Sequence, residues 1–280
     1  MPLVTVIIPT YNRARLLGRA IESVLAQTFH DYELVVVDDG STDSTRELLA
    51  TFQGKVVPLF QDHRGVSAGR NRGIEHSKGD LLAFLDSDDE WLPEKLSRQV
   101  ALFDRTKGSY ICHTNEIWLR HGKEVPQKKC HEKQGGRFFE RALERCLISP
   151  SSAMISRDLL DRVGWFDEEL PAAEDYDLWL RITAFHDVTF VPEPLVMKHG
   201  GYDDQLSQTT PAIDRFRIRA IVKILGDPRL RSDYRAAAIQ ELGRKCRIVA
   251  EGYRKRGRVA ESEEFFELAR SYEASATGSP

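Results

Sequence analysis

The first hundred positions alternate two kinds of apolar pattern. Residues 4–8 (V-T-V-I-I), 33–37, 55–60 and 81–85 are short, β-branched or leucine-rich runs that predict strands, with 4–8 central and 81–85 fully buried. Pro9 is expected to end the first of them. Between the runs, apolar residues recur at helical spacing. Leu16, Leu17, Ala20, Ile21, Val24 and Leu25 form one stripe, with Asn12 the expected cap. Leu48, Leu49 and Phe52 form a second, entered through Ser41 or Asp43. A glycine-interrupted helix is expected from about Ser67. Another begins at Pro93 and carries Leu96, Val100 and Phe103. Strict alternation of strand and helix predicts a parallel sheet with right-handed crossovers. In such sheets the ligand sits beyond the carboxyl ends of the strands. Three strand ends would then share one edge: Pro9-Thr10-Tyr11, Asp38-Asp39, and Asp86-Ser87-Asp88-Asp89.

The middle of the chain is less regular. Residues 110–118 alternate and lead to His121-Gly122-Lys123, a hairpin signal. Residues 121–137 are polar and basic and are expected to form a mobile loop, a candidate lid. A strand is expected at 151–155, and Ser156 is placed to cap a helix carrying Leu159, Leu160 and Val163. Glu174-Asp175 opens a helix with Leu178, Trp179, Ile182 and Phe185. Two short strands are expected at 188–191 and 195–197, followed by His199-Gly200-Gly201. From Pro211 the chain becomes helical, charged and rich in Ala, Arg and Glu. The last stretch resembles a single tetratricopeptide-type hairpin, but one copy lacks neighbours to stack on, and a helical pair packed back on the main body is favoured. The expected divisions are 1–105 and 106–210, two halves of one domain, and 211–280, a C-terminal helical extension.

Composition adds mainly exclusions. The 280 residues are 41% hydrophobic and 30% charged, an ordinary globular balance. A net charge of −3 gives no basic field for nucleic acid. Cys112, Cys130, Cys146 and Cys246 show no paired spacing, so neither a disulfide framework nor a zinc site is expected. No apolar run approaches the roughly 20 residues of a membrane helix. The start M-P-L-V-T-V reads as the first strand and not as a leader. A cytoplasmic protein, peripheral at most to the inner face of a membrane, is the expectation.

The acids carry the candidate chemistry. Three carboxylates in Asp86-Ser87-Asp88-Asp89 repel one another unless a cation joins them, and a divalent ion with oxygen ligands, carrying phosphates, fits. A plain polar turn is the competing reading, with Asp89 a cap for the helix entered through Pro93. Tyr11 can lie against a nucleobase or wedge helix against sheet. Asp39 can accept from a base imide N–H or cap a turn in D-D-G-S. Asp86 can accept from ribose hydroxyls, and Asp88 can hold the metal. Arg70 can offset phosphate charge or form a salt bridge. Asp175 can act as a general base, with Glu174 orienting the acceptor, or both can serve the helix N-terminus. His199 can approach the same metal or fill a structural role. No G-x-x-x-x-G-K-[ST], G-x-G-x-x-G or G-x-S-x-G is present.

Taken in order, V-I-I-P-T-Y-N, V-V-V-D-D-G-S-T-D, G-R-N-R-G-I, F-L-D-S-D-D and A-E-D-Y-D-L-W-L closely resemble family 2 glycosyltransferases over about residues 3–205. The resemblance implies a GT-A fold, a Rossmann-like and mostly parallel α/β sheet flanked by helices. It implies a nucleoside-diphospho-sugar donor (with UDP favoured), Mn²⁺ or Mg²⁺, and inversion at the anomeric carbon. Pro9, Tyr11 and Asp39 match the base-binding positions. Asp86-Ser87-Asp88 matches the D-x-D, with Asp88 the metal ligand, and Asp175 matches the catalytic base. His199, in K-H-G-G before Gln205-Leu206-Ser207, resembles the late His near metal and diphosphate. The implied acceptor is a hydroxyl of a glycan or lipid-linked glycan. No Q-x-x-R-W follows Asp175, which argues against a processive polysaccharide synthase. Two alternatives stand beside this reading: a sugar nucleotidyltransferase, which P-T-Y-N-R after the first strand disfavours, and an interaction protein acting through its C-terminal helices as a homodimer or with another partner.

Overall fold

The computed structural model describes residues 1–105, 110–202, 205, 210 and 212–277. Leu206, Ser207 and Pro211, which figure in the sequence reading, lie outside them. The elements run β1 (Val4–Thr10), α1 (Ala14–Leu25), β2 (Tyr32–Asp38), α2 (Thr45–Thr51), β3 (Val57–Phe60), α3 (Val66–His76), β4 (Leu81–Phe84), β5 (Glu90–Trp91), α4 (Lys95–Arg105), β6 (Ile111–Arg120) and β7 (Lys123–Glu124). They continue with α5 (Phe139–Glu144), β8 (Ala153–Ser156), α6 (Arg157–Val163), α7 (Glu174–Thr183), β9 (Thr189–Gly200), α8 (Asp214–Leu225), α9 (Ser232–Lys255) and α10 (Val259–Thr277).

The strands join one sheet in the order β3-β2-β1-β4-β8-β6-β9-β5, with β7 on β6. From β3 to β4 every pairing is parallel, as the alternation predicts. Beyond β4 the sheet is mixed. β8 is antiparallel to both β4 and β6, β9 is parallel to β6, and β5 is antiparallel to β9. The crossovers in this half do not repeat the strand–helix–strand unit, so nothing in the local pattern sets strand direction.

Period-two alternation sorts the core onto the two faces of the sheet. Val4, Val6 and Ile8 of β1 and Leu81 and Ala83 of β4 face one cluster with Leu17, Ile21 and Val24 of α1. Ile7, Leu82 and Phe84 face the other, which continues through α5, α6 and α7 into Phe216, Ile221, Leu242 and Cys246 of the C-terminal helices. These helices therefore share the main core.

Helix α3 lies against the second face through its glycines. A Cβ at Gly73 would meet Ile7 Cγ2 at 2.4 Å, and one at Gly69 would meet Pro9 Cβ at 3.2 Å. Gly73→Ala is therefore expected to cost about 1–3 kcal/mol of stability by forcing α3 off β1. Urea denaturation reads this directly, and an unchanged midpoint would contradict the close approach.

Several local expectations are corrected. β1 continues through Pro9 to Thr10, where Thr10 O accepts from Asp39 N–H. Asn12 does not cap α1. It sits at φ 51° and its Oδ1 accepts from Thr42 and Asp43 N–H, tying two loops together, while Asp43 accepts from Ala14 N–H at the start of α1. Ser156 caps α6 as expected, accepting from Leu159 N–H. The two short strands expected near 188–197 are one continuous strand, β9, that includes His199.

Residues 121–137 are a largely exposed loop, as expected, with local structure inside it. They hold β7 and a 3₁₀ turn at Lys129–His131, and Lys133 is buried with its Nζ 2.7 Å from Glu116. Glu116 also accepts from Trp118 Nε1–H, from Ser149 Oγ–H and, at its backbone carbonyl, from Gln127. Lys133 and Lys198 hold the Glu116 carboxyl down to about 2 despite its burial. An ion pair inside this many hydrogen bonds explains how one lysine of an otherwise exposed segment is buried.

Candidate active site

The ends of β1, β2 and β4 open onto one cavity of about 760 Å³, closed on the far side by the start of α7 and the end of β9. All nine residues singled out from sequence line it: Pro9, Tyr11, Asp39, Arg70, Asp86, Asp88, Glu174, Asp175 and His199. They come from six separate stretches of chain, so only the sheet topology brings them together.

At the β2 end, the two aspartates divide. Asp38 turns inward and accepts from Ser41 N–H, making the turn. Asp39 faces the cavity wall, buried, and accepts from the backbone N–H of Arg64 and Gly65 and from Gln61 Nε2. Tyr11 is half-exposed above it, and the His63 ring lies on Tyr11 with centroids 3.9 Å apart.

Arg70 organises the floor. One terminal nitrogen donates to Glu174 Oε1 at 2.6 Å and the other to Asp86 Oδ1 at 2.7 Å, with the guanidinium over the Phe166 ring. Burial disfavours its charge, but Asp86 and Glu174 reverse that and raise its pKa. Burial pushes Glu174 up to about 7, with Asp175 adding to the rise and Arg70 opposing it. The sequence left Arg70 open between offsetting phosphate charge and forming a salt bridge. In the fold it is an internal clamp linking the β4 turn to α7.

Asp88 is held up by burial and by the neighbouring Asp86 charge, against a hydrogen bond from Gln205 to its Oδ2. Asp89 is not a helix cap, since α4 begins only at Lys95. It is buried and accepts from Ser151 Oγ–H and His199 N–H, so it joins the acidic turn to β9. His199 places Nε2 2.6 Å from Glu90, leaving only Nδ1 for any other partner.

Asp175 is delivered by strain and capping. Ala173 before it adopts a left-handed φ of 62°, a conformation that costs a non-glycine residue about 1–2 kcal/mol. Asp175 Oδ1 accepts from Tyr176 N–H, and Oδ2 accepts from the Cys146 thiol at 3.2 Å. Burial, reinforced by Asp175, keeps that thiol protonated and therefore a donor.

The lining has seven carboxylates against four lysines and arginines among the described residues. One of those cations, Lys198, is disfavoured by burial but raised strongly by Glu116, Asp89, Asp86 and Asp175. The acid excess and hard oxygen donors suit a divalent ion. No group of three His, Cys, Asp or Glu side chains among the described residues is set to hold a metal alone. The fit is to an ion shared with substrate phosphates, the usual arrangement for Mg²⁺-like ions held by one or two carboxylates.

Residues 5–164 match the profile of Glycosyl transferase family 2. The chain belongs to that family. It is 30% identical over 231 residues to the UDP-Glc:alpha-D-GlcNAc-diphosphoundecaprenol beta-1,3-glucosyltransferase WfgD of Escherichia coli, covering 80% of this chain and 86% of that one. It is 28% identical to the putative teichuronic acid biosynthesis glycosyltransferase TuaG of Bacillus subtilis, covering 65% and 72%. Uncharacterized glycosyltransferases of Rickettsia typhi and Nostoc match at 30% and 36% identity, and this chain spans 67% and 52% of their lengths. Residues 1–349 of Staphylococcus aureus TarS, solved with UDP-GlcNAc, superpose with a TM-score of 0.69 at 19% identity, covering 97% of this chain and 92% of that one. The fold of this family 2 chain is thus GT-A, its curled sheet carrying the C-terminal helices as an addition.

Among what sequence reasoning missed are His63 and Lys198, which line the cavity, and Cys146, which donates to Asp175 from outside the lining. Lys198 stands beside the singled-out His199 and was legible as a neighbour. His63 and Cys146 carry no local signal.

Proposed function

We propose that this family 2 chain is a metal-dependent, inverting glycosyltransferase that moves a sugar from a UDP-sugar to a hydroxyl of a lipid-linked glycan. One observation carries the reading. Base-side, metal-side and proton-accepting carboxylates, far apart in sequence, face a single cavity large enough for a nucleotide-sugar. The name of the E. coli relative supports a UDP-sugar donor and a diphospholipid-linked acceptor. An acceptor of that kind would bring the chain to the inner face of a membrane. No helix among the described residues is long and apolar enough to cross one.

In this mechanism Tyr11, Pro9 and Asp39 seat the base, and Asp86 accepts from the ribose. Asp88 is the protein's ligand to Mn²⁺ or Mg²⁺, with His199 able to approach only through Nδ1. A divalent ion held there would supply Lewis-acid neutralisation of the diphosphate leaving group. Lys198 adds a fixed positive charge to the same side. Asp175 takes the proton from the acceptor hydroxyl as it attacks, and Glu174, held by Arg70, orients that hydroxyl. A single base and a single displacement invert the anomeric centre.

Asp88→Ala is expected to abolish the gain in UDP affinity that Mn²⁺ confers, measured by calorimetry with and without the ion. The same Mn²⁺-dependent gain in the variant as in the native chain would remove Asp88 from the metal.

A further inference from the structure

His63 lies between β3 and α3, in Gln61-Asp62-His63-Arg64-Gly65. Its ring is tilted only 20° from Tyr11, with centroids 3.9 Å apart. Its Nδ1 is 2.9 Å from Asp39 Oδ2 and 3.2 Å from the Asp39 backbone oxygen. The histidine side chain is 53% exposed, whereas the Asp39 side chain is 4% exposed. A flat ring therefore reaches in from solvent, sets one face on a tyrosine and points one nitrogen at a buried carboxylate.

A carboxylate has about four acceptor positions. Asp39 has four nitrogen neighbours: Gln61 Nε2, Arg64 N, Gly65 N and His63 Nδ1. The hydrogen bond of His63 Nδ1 goes to the Asp39 backbone oxygen, and the same nitrogen lies across the remaining side of Oδ2, where a further N–H would have to come. A pyrimidine base seated on Tyr11 with its imide N–H on Asp39 would need the same face and the same oxygen that the imidazole holds.

We infer that His63 occupies the place of the nucleobase and that the nucleotide binds by displacing it. The inference rests on the reading of Tyr11 and Asp39 as the base subsite. Of the four neighbours, two are backbone groups, and the chain that carries them is tightly seated. Gly40, at φ 81°, lets that chain come so close that a Cβ there would lie 2.8 Å from His63 N. The backbone of residue 63 lies close against Gly40, and the exchange inferred is a rotation of the side chain. Until the ring leaves, only the fraction of molecules with an open subsite can bind a base, and the apparent affinity falls by that fraction.

His63→Ala should therefore bind UDP more tightly than the native chain, by roughly two- to twelvefold in Kd with Mn²⁺ present, the range set by the aromatic stack the ring gives up. Pyrophosphate with Mn²⁺, which has no base, should bind both proteins equally. The His63 ring resonances should shift on adding UDP and stay in place on adding pyrophosphate. Unchanged or weaker UDP binding by His63→Ala overturns the inference, weaker binding marking the ring as a wall of the subsite and not its occupant. Equal tightening for pyrophosphate overturns it too. Tyr11→Ala separates this failure from that of the underlying reading. If Tyr11→Ala weakens UDP but not pyrophosphate while His63→Ala fails to tighten UDP, only the displacement is wrong. If Tyr11→Ala leaves UDP binding untouched, the base subsite itself is misplaced and the inference goes with it.

Discussion

Asp175→Asn is expected to lower sugar transfer by about 10²–10⁴-fold while leaving UDP-sugar affinity within roughly twofold, the range seen when a positioned general base is lost. The amide preserves shape and most contacts. Its oxygen still accepts from Tyr176 N–H, and its nitrogen can donate to the Cys146 sulfur that donates to Asp175 Oδ2 in the native chain. What disappears is the ability to take a proton from the acceptor. Binding and turnover should therefore separate: calorimetry with UDP-sugar reads nearly native, and a transfer assay reads almost nothing. Full activity in the variant would remove Asp175 from the mechanism.

Arg70→Ala should act on the fold as well as the site. The guanidinium is 3% exposed and bridges Glu174, 5% exposed, to Asp86. Removing it leaves an uncompensated buried acid, a change that typically costs 3–5 kcal/mol. For a chain of this size that is a fall in Tm of roughly 10 °C. Arg70→Lys should recover only part of it, because an ammonium cannot reproduce the fork that reaches two carboxylates at once. Pairing Arg70→Met with Glu174→Gln should restore much of the stability without restoring transfer. A Tm within about 2 °C of native for Arg70→Ala would show that the clamp is not structural.

Legibility along the chain followed burial. The strands β1, β2 and β4 were readable because both faces of a parallel sheet are covered, so the chain must be apolar without interruption. The acids at their ends then stood out, since nothing in a core asks for them. Ser156 was readable as a cap because the pattern is local: a hydroxyl, then an N–H three residues on. Asn12 misled for the same reason. It has the composition of a cap but spends its oxygen on a loop thirty positions away. The basic stretch 121–137 was readable as a solvated loop from composition, which hid only Lys133, drawn in by Glu116 of β6.

The sequence by itself determined the parallel half of the sheet and the stretches that converge on the cavity. Continuous apolar runs, turn acids and helical stripes are local patterns, and each element forms largely from its own pattern. Only the tertiary structure decided what each acid does there. Asp89 meets His199 across 110 positions, Arg70 meets Glu174 across 104, Cys146 meets Asp175 across 29, and His63 meets Asp39 across 24. Those contacts depend on strand direction and on which side chain reaches a shared space first, and no spacing along the chain encodes either.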